Sequence, residues 1–340
     1  MMNYMLYRAK ILYRSGFEVP PMPCPTVKPK IAISACLMGA EVRFNGGHKQ
    51  SRLCSHTLTD YFDFVPVCPE VAIGLGIPRQ PIRLVGGPEQ PDAIGTVDPA
   101  LNVTRPLADY GRQMAAELSD ICGYIFMQKS PSCGLERVKV YHANGAPVDG
   151  GGRGIYAQAF CALHPDLPVE EEGRLNDPVL RENFLTRVFA YSAWQQLRQA
   201  GLTRHGLTDF HSRYKYLLMA HNPVQYKTLG NLLGNMGQTD PGELGPRYFS
   251  ELMAALKKCA TRRTHTNVLQ HISGYLKQAI SAEDKQEMQH VIGQYRQGIV
   301  PLVVPLTLLK HYFRQHPDPY IAQQVYLQPH PENLSLRNAI

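Results

Sequence analysis

No apolar run in the 340-residue sequence approaches the roughly 18 residues a membrane-spanning helix needs, so a bilayer-crossing helix is excluded. The first 25 residues, MMNYMLYRAKILYRSGFEVPPMPCP, lack the unbroken apolar stretch and small-residue cleavage site of a secretory signal. They read as a loosely attached leader running into a Pro-rich linker. There is no CxxC pair, which argues against a compact zinc or redox motif. No Lys-Ser/Thr follows the glycine-rich GGGRG of 150–154, so it is not a Walker A loop, although it can still aim backbone N–H groups at an anion. No HxxxH–Glu pattern, internal repeat or low-complexity tract occurs.

Eight cysteines are present, at 24, 36, 54, 68, 122, 133, 161 and 259, scattered too widely for a disulfide scaffold. A cytoplasmic chain with reduced thiols is the expectation. A hydrophobic content of 44% supports sizeable cores, and net charge is +7. Residues 205–340 carry 14 Lys+Arg against 9 Asp+Glu and nine of the thirteen histidines, so the basic excess lies in the C-terminal part. That excess fits a nucleic-acid partner without establishing one.

From residue 30 the pattern alternates. KIAISAC, FDFVPVC, IRLVGG, GYIFM and RVKVY read as strands, while RPLADYGRQMAAELSD has helical spacing, with Leu107, Tyr110, Met114 and Leu118 on one face. This predicts an α/β fold: a Rossmann-like, mostly parallel sheet with helices. After about residue 165 only helical patterns follow, starting with a long one that Asn176 or Asp177 caps, Pro178 starts and Gly201 ends. The acidic stretch PVEEEGRLNDP marks the boundary. The expected organisation is a leader (1–29), an α/β domain (30–170), a connecting helix (171–204), a smaller all-helical domain (205–325) and a tail (326–340).

Cys36 and Cys68 each end a predicted strand, and Cys133 follows GYIFM within KSPSCG. In an open parallel sheet the carboxyl ends of the strands line the ligand crevice, so the fold would bring the three thiols together. Three thiolates suit a soft metal. Zinc prefers four ligands, or three with N or O donors, and four cysteines hold most iron–sulfur clusters; a cluster on three leaves one iron open to substrate. Buried filler is the alternative for each cysteine taken singly. The same rim gathers Arg43, Asn45, His48 and Lys49 on a glycine-rich loop, Lys129, Ser130 and Ser132 beside Cys133, and Glu70 two residues past Cys68. Glu70 is a candidate acid/base whose pKa a neighbouring electron-rich cluster would raise, or else a surface or capping carboxylate. Lys129 is placed to hold an anion, the serines to position substrate or water, and His48 and Lys49 are equally compatible with a solvated loop. In the helical part, His211, Arg213, Lys215 and His221 mix with Tyr214 and Tyr216, and Lys257, Lys258, Arg262, Arg263, His265 and His271 form a second basic group. Such mixtures suit RNA backbone contact with base stacking, or a solvated helix face.

SACLMGAEVRFNGGHK, VPVCPEVAIGL and KSPSCG resemble the thiouracil desulfidase family, and LTDFHSRYKYLLMAH with HTNVLQHISGYLK…YRQGIVPLVVPLTLLKHY resembles a second, helical family. The fusion is similar to the bacterial tRNA 4-thiouridine desulfidases over roughly residues 30–325. The resemblance implies a [4Fe–4S] cluster on Cys36, Cys68 and Cys133 whose fourth iron, without a protein ligand, captures the thiocarbonyl sulfur. By the same resemblance Glu70 and Ser130 assist and the helical domain helps hold thiolated tRNA; the basic residues read above, His211, Arg213, Lys215, Arg262 and Arg263, are the candidates for that contact. Two positions depart from the family pattern: Arg-Tyr-Asp-Gly is here Arg43-Phe44-Asn45-Gly46, and Tyr214 replaces the second His of His-Ser-Arg-His-Lys. The expected reaction converts 4-thiouridine in tRNA to uridine and sulfide without redox change. Alternatives are a desulfidase of free thiouracil or other thiobases, and a non-enzymatic tRNA-binding protein with a structural or redox cluster. No membrane and no obligatory protein partner are expected.

Overall fold

The structure, a computed structural model, describes residues 28–340; nearly all of the expected leader, with Cys24, lies outside the described residues. The first half contains β1 (Lys30–Ser34), β2 (Asp63–Val67), α1 (Pro69–Ala72), β3 (Ile82–Gly86), β4 (Pro91–Gly95), α2 (Thr104–Glu117), β5 (Gly123–Phe126), β6 (Val140–Tyr141), α3 (Ile155–Leu163) and β7 (Val169–Glu171). An entirely parallel sheet runs β2-β1-β5-β7. The apolar runs of β1 and β5 explain their central places, since an inner strand of a parallel sheet is covered on both faces. The α/β expectation therefore holds.

Not every predicted strand joins that sheet. IRLVGG and RVKVY supply β3 and β6 of a separate three-stranded sheet, β4-β3-β6, in which β3 and β4 form an antiparallel hairpin. β4 was not legible because PDAIG has the composition of a turn. The acidic stretch also supplies β7, an edge strand of the main sheet, and Glu170, Glu171 and Glu172 are buried.

On α2 the expected face is buried at Leu107, Met114 and Leu118, and Tyr110 is only half-buried. Gly111 lies on the inward side, where a Cβ would meet the Tyr156 carbonyl oxygen at 2.8 Å and the Ala159 side chain at 2.9 Å. The missing side chain lets α2 and α3 pack closely.

Then come α4 (Pro178–Gln199), α5 (Arg204–His221), α6 (Pro223–Gly234), α7 (Pro241–Leu256), α8 (Arg262–Ser273), α9 (Ala282–Gln297), α10 (Val303–Gln315) and the short α11 (Pro319–Ala322). Asp177 caps α4 by accepting from the Val179 and Leu180 N–H groups, and Gly201 beyond it has φ +93°. α4 is buried on several sides. Phe184, Leu185, Val188 and Phe189 pack into a core that includes Ile31, Ile33 and Leu37 of the α/β unit. Ala190 and Trp194 pack into the core of the helical unit. Residues 326–340 return to the body: Leu336 joins the first of these cores and Ile340 the second. Among the described residues no helix is long and apolar enough to cross a membrane.

The helical core encloses imidazoles. His265 is buried with its Nδ1 2.9 Å from the Tyr326 hydroxyl, and His211 Nδ1 is 3.1 Å from the Tyr248 hydroxyl. Burial lowers His265 to about 3 and His211 to about 4. The folded chain therefore keeps both neutral where the unfolded chain, titrating near 6.5, takes up protons. Stability should be fully present above about pH 6.5 and fall as pH drops toward 4, by at most about 1.4 kcal/mol per pH unit for each histidine. Urea unfolding at pH 7 and pH 5 measures this, and His265→Gln should shrink the difference between the two.

Candidate active site

The parallel register places the carboxyl ends of β2, β1 and β5 side by side, with Ser34 opposite Val67 and Ile33 opposite Ile125. Just past these ends lie the three cysteines. Cys36 sits in a 3-10 turn (Ala35–Met38), Cys68 is the N-cap of α1, and Cys133 lies in the loop of residues 127–136. All three line one cavity of about 400 Å³. Burial pushes the Cys36 thiol up to about 11, with the neighbouring Cys68 adding to the effect. Burial likewise raises Cys68, and raises Cys133 well above its usual range, reinforced by Glu70 and the other two cysteines. Thiolates in this place need a cationic group to compensate them, as metal ligation provides.

Among the described residues, no three His, Cys, Asp or Glu side chains converge as the ligands of one ion would. The three thiols ring a cavity instead. A mononuclear zinc site is a poor match to that arrangement, whereas a polynuclear group, whose thiolates sit on separate metal atoms, fits it. Of the other described cysteines, Cys54, Cys122, Cys161 and Cys259 do not line the cavity, and Cys54 and Cys122 are core filler.

Glu70 also lines the cavity, but not as an isolated carboxylate. Its Oε2 accepts from Arg79 Nε at 2.9 Å and Nη2 at 2.6 Å, and its Oε1 accepts from the Ser132 hydroxyl at 2.7 Å. Arg79 further donates to the carbonyls of Gly76 and Val42, and its backbone N–H donates to the Phe44 carbonyl. The sequence reading of Glu70 left out this guanidinium, which pairs directly with its carboxylate. Arg79 was missed because GIPRQP carries no periodicity or motif.

The cysteine-bearing loop is held on both sides. Met127 N–H donates to Ser34 Oγ, Gln128 N–H to Glu172 Oε2 at 2.8 Å, and Leu135 N–H to Glu171 Oε1 at 2.8 Å. These bonds are why the glutamates of 171–172 can be buried. Ser130 lines the cavity, and its Oγ accepts from the N–H groups of Ser132 and Cys133, which leaves its own proton free to donate outward. Ser132 is fully buried and does not line the cavity; it positions Glu70. Gly154, Ile155 and Ala157 at the start of α3 donate their N–H groups to the carbonyls of Gly134, Pro131 and Ser132. The GGGRG segment therefore clamps the loop, and these N–H groups are not available to an anion.

Arg43, Lys49 and Lys129 line the cavity and make its rim basic. Asn45 and His48 do not line it: Asn45 Oδ1 accepts from Gly47 N–H and His48 Nδ1 from Gln50 N–H, so both shape their own loop. None of the five RNA-binding candidates lines it. His211 faces Tyr248, Arg213 is half-buried, and Lys215 lies over the Tyr216 and Tyr320 rings. Arg262 and Arg263 are exposed, with Arg262 donating to the Tyr295 carbonyl. The basic and aromatic residues that run together in the sequence are separated by the helical period: Tyr214 is buried against Phe210, and His221 is buried with its Nδ1 against the Lys258 carbonyl.

Comparison with known proteins follows the same division. The family described as 2-thiouracil desulfurase matches residues 31–172, and the family described as protein of unknown function (DUF1722) matches residues 215–331. The uncharacterized protein YbgA of Escherichia coli (strain K12) is 34% identical over 159 residues, which are 46% of this chain and 94% of that protein. The uncharacterized protein YbbK of Bacillus subtilis (strain 168) is 30% identical over 153 residues, 43% of this chain and 98% of that protein. Among solved structures, the [4Fe-4S]-dependent thiouracil desulfidase TudS is 28% identical, covering 44% of this chain and 95% of its own, with a TM-score of 0.32.

Two substitutions test how the site is built. A Cβ on Gly154 would stand 2.5 Å from the Ser132 carbonyl carbon and oxygen and 2.8 Å from the Cys133 nitrogen, all backbone. Gly154→Ala should displace Cys133 and unseat its buried thiol, read as faster labelling by a thiol reagent than in the unchanged chain, while far-UV circular dichroism stays unchanged. Glu70→Gln keeps the shape but leaves the Arg79 charge, 5% exposed, without its partner. Urea unfolding should show a loss of about 3 kcal/mol.

Proposed function

Because the chain belongs to the 2-thiouracil desulfurase family through residues 31–172 and carries a DUF1722 region over 215–331, we propose that it is a desulfidase that converts 4-thiouridine in tRNA to uridine. Three thiols around one cavity, those of Cys36 and Cys133 buried and that of Cys68 half-buried, beside an anchored carboxylate, carry this reading. Cys36, Cys68 and Cys133 would hold a [4Fe–4S] cluster, which when bound supplies an iron free of protein ligands, a Lewis acid toward a thiocarbonyl sulfur.

The chain's own residues supply the rest. Arg79 and Ser132 fix both oxygens of Glu70; Oε2 takes two bonds from Arg79, while Oε1, with one from Ser132, keeps lone-pair capacity for a water. Glu70 orients that water toward C4 of the base and takes its proton. The Ser130 hydroxyl steadies the polar edge of the base as charge develops. Water adds its oxygen to the carbon that loses sulfur, and sulfur departs as hydrosulfide, so the exchange needs no electron donor or acceptor. Arg43, Lys49 and Lys129 give the cavity mouth the charge to hold the phosphates flanking a target nucleotide. A thiouridine in folded RNA has to leave its stack to reach the thiols. The exposed Arg262 and Arg263, with Arg213 and Lys215, are the candidates for holding the RNA body.

The test is anaerobic reconstitution with iron and sulfide, incubation with bulk bacterial tRNA, and quantification of thionucleosides by mass spectrometry. 4-Thiouridine should disappear selectively, and Cys133→Ser should stop its loss. Arg43→Ala with Lys49→Ala should lower kcat/KM on tRNA about tenfold while leaving free thiouracil turnover within about twofold, since RNA depends on screened phosphate contacts and the free base does not. Turnover of free thiouracil with tRNA untouched would make the free base the substrate. Tight tRNA binding without turnover of either would make the chain a binding protein.

A further inference from the structure

A second cavity, of about 320 Å³, lies in the helical unit where α10 faces residues 327–338. Its lining carries three cations, Lys310, Arg314 and Arg337, against one carboxylate, Glu332. Lys310 is ion-paired with Glu332. Arg337 is buried; its Nε donates to Glu182 Oε1 at 3.3 Å and its Nη1 to the Tyr326 carbonyl at 2.6 Å. Its Nη2 is buried with no hydrogen-bond partner. The same holds for Nε2 of His330, another lining residue, whose nearest carboxylate oxygen, on Glu182, stands 3.6 Å away. A buried N–H left without an acceptor costs on the order of 1–3 kcal/mol, and in a native protein such a group marks the place of an acceptor that comes from outside the chain. Both residues line one cavity whose lining is net positive, and together these features call for an anion.

We propose that this cavity binds a phosphate group. A phosphate offers several acceptor oxygens in a tetrahedral array, enough to meet an arginine fork, an imidazole and a lysine together, and its charge offsets the excess of cations. A water would satisfy one N–H but leave that excess. The space exceeds what a bare phosphate fills, and apolar walls from Val303, Leu306 and Leu327 leave room for the organic part of an ester. A nucleotide and an RNA backbone both present that chemistry. None of these residues lines the thiol cavity, so the site stands or falls independently of desulfidase activity.

Calorimetric titration of the full chain with inorganic phosphate, at constant ionic strength with chloride as the control, tests it. Saturable binding with a dissociation constant below about 10 mM is expected. Lys310→Ala with Arg314→Ala should weaken it at least about tenfold. Arg314 is exposed and Lys310 half-buried, whereas replacing the buried Arg337 would strand Glu182 and confound the result. If unmodified tRNA displaces the bound phosphate, the ligand is an RNA phosphate; if it does not, the ligand is a small phosphate ester. Absence of saturable phosphate binding, or equal binding by the double variant, would overturn the proposal.

Discussion

Arg79 and Glu70, nine residues apart, form an ion pair that is almost out of water and whose further hydrogen bonds reach segments far apart in the chain. Taking two charges from solvent is expensive, and the cost is offset only when geometry is good and the remaining hydrogen-bonding capacity is met. Here it is met: the guanidinium also reaches the carbonyls of Val42 and Gly76, and the carboxylate also accepts from Ser132. One ion pair thereby connects the loop after Cys36, the helix begun by Cys68 and the loop that carries Cys133. The thiols ring a cavity because these three segments are held against one another as well as following adjacent strands.

α4 performs the comparable task between the two units. With apolar residues committed to both cores, it fixes the relation of the α/β part to the helical part more firmly than a linker would. The Glu182–Arg337 contact secures the 326–340 segment to the same helix from inside the protein. The cationic cavity on α10 borders that contact, so a bound anion would bear on the seam between the units.

The convergence of the three thiols on one cavity was legible in the sequence because each cysteine abuts an apolar run, and parallel pairing turns three strand ends into one edge. The α/β-then-helical order was legible from periodicity alone. What escaped detection had a physical reason in each case. Arg79 sits in a loop where neighbours in sequence say nothing about partners in space. The burial of Glu170, Glu171 and Glu172 was not legible, since carboxylates are seldom buried and the loop N–H groups and Arg174 that satisfy them are not visible in the sequence pattern. Tyr214 and His221 were grouped with Arg213 and Lys215 by linear proximity, although the 3.6-residue turn sends the former pair inward. The 326–340 segment was read as a tail because it lacks periodicity, but Leu336 and Ile340 anchor it in two cores.

That last feature bears on how the protein comes into being. During synthesis β1 emerges early, but the core it shares with α4 and Leu336 stays incomplete until residues made near the far end of the chain have left the ribosome. The α/β unit therefore cannot reach its finished packing as an independent early product. Cys36 itself belongs to that core, so its surroundings are complete only once Leu336, three hundred positions later in the chain, has taken its place.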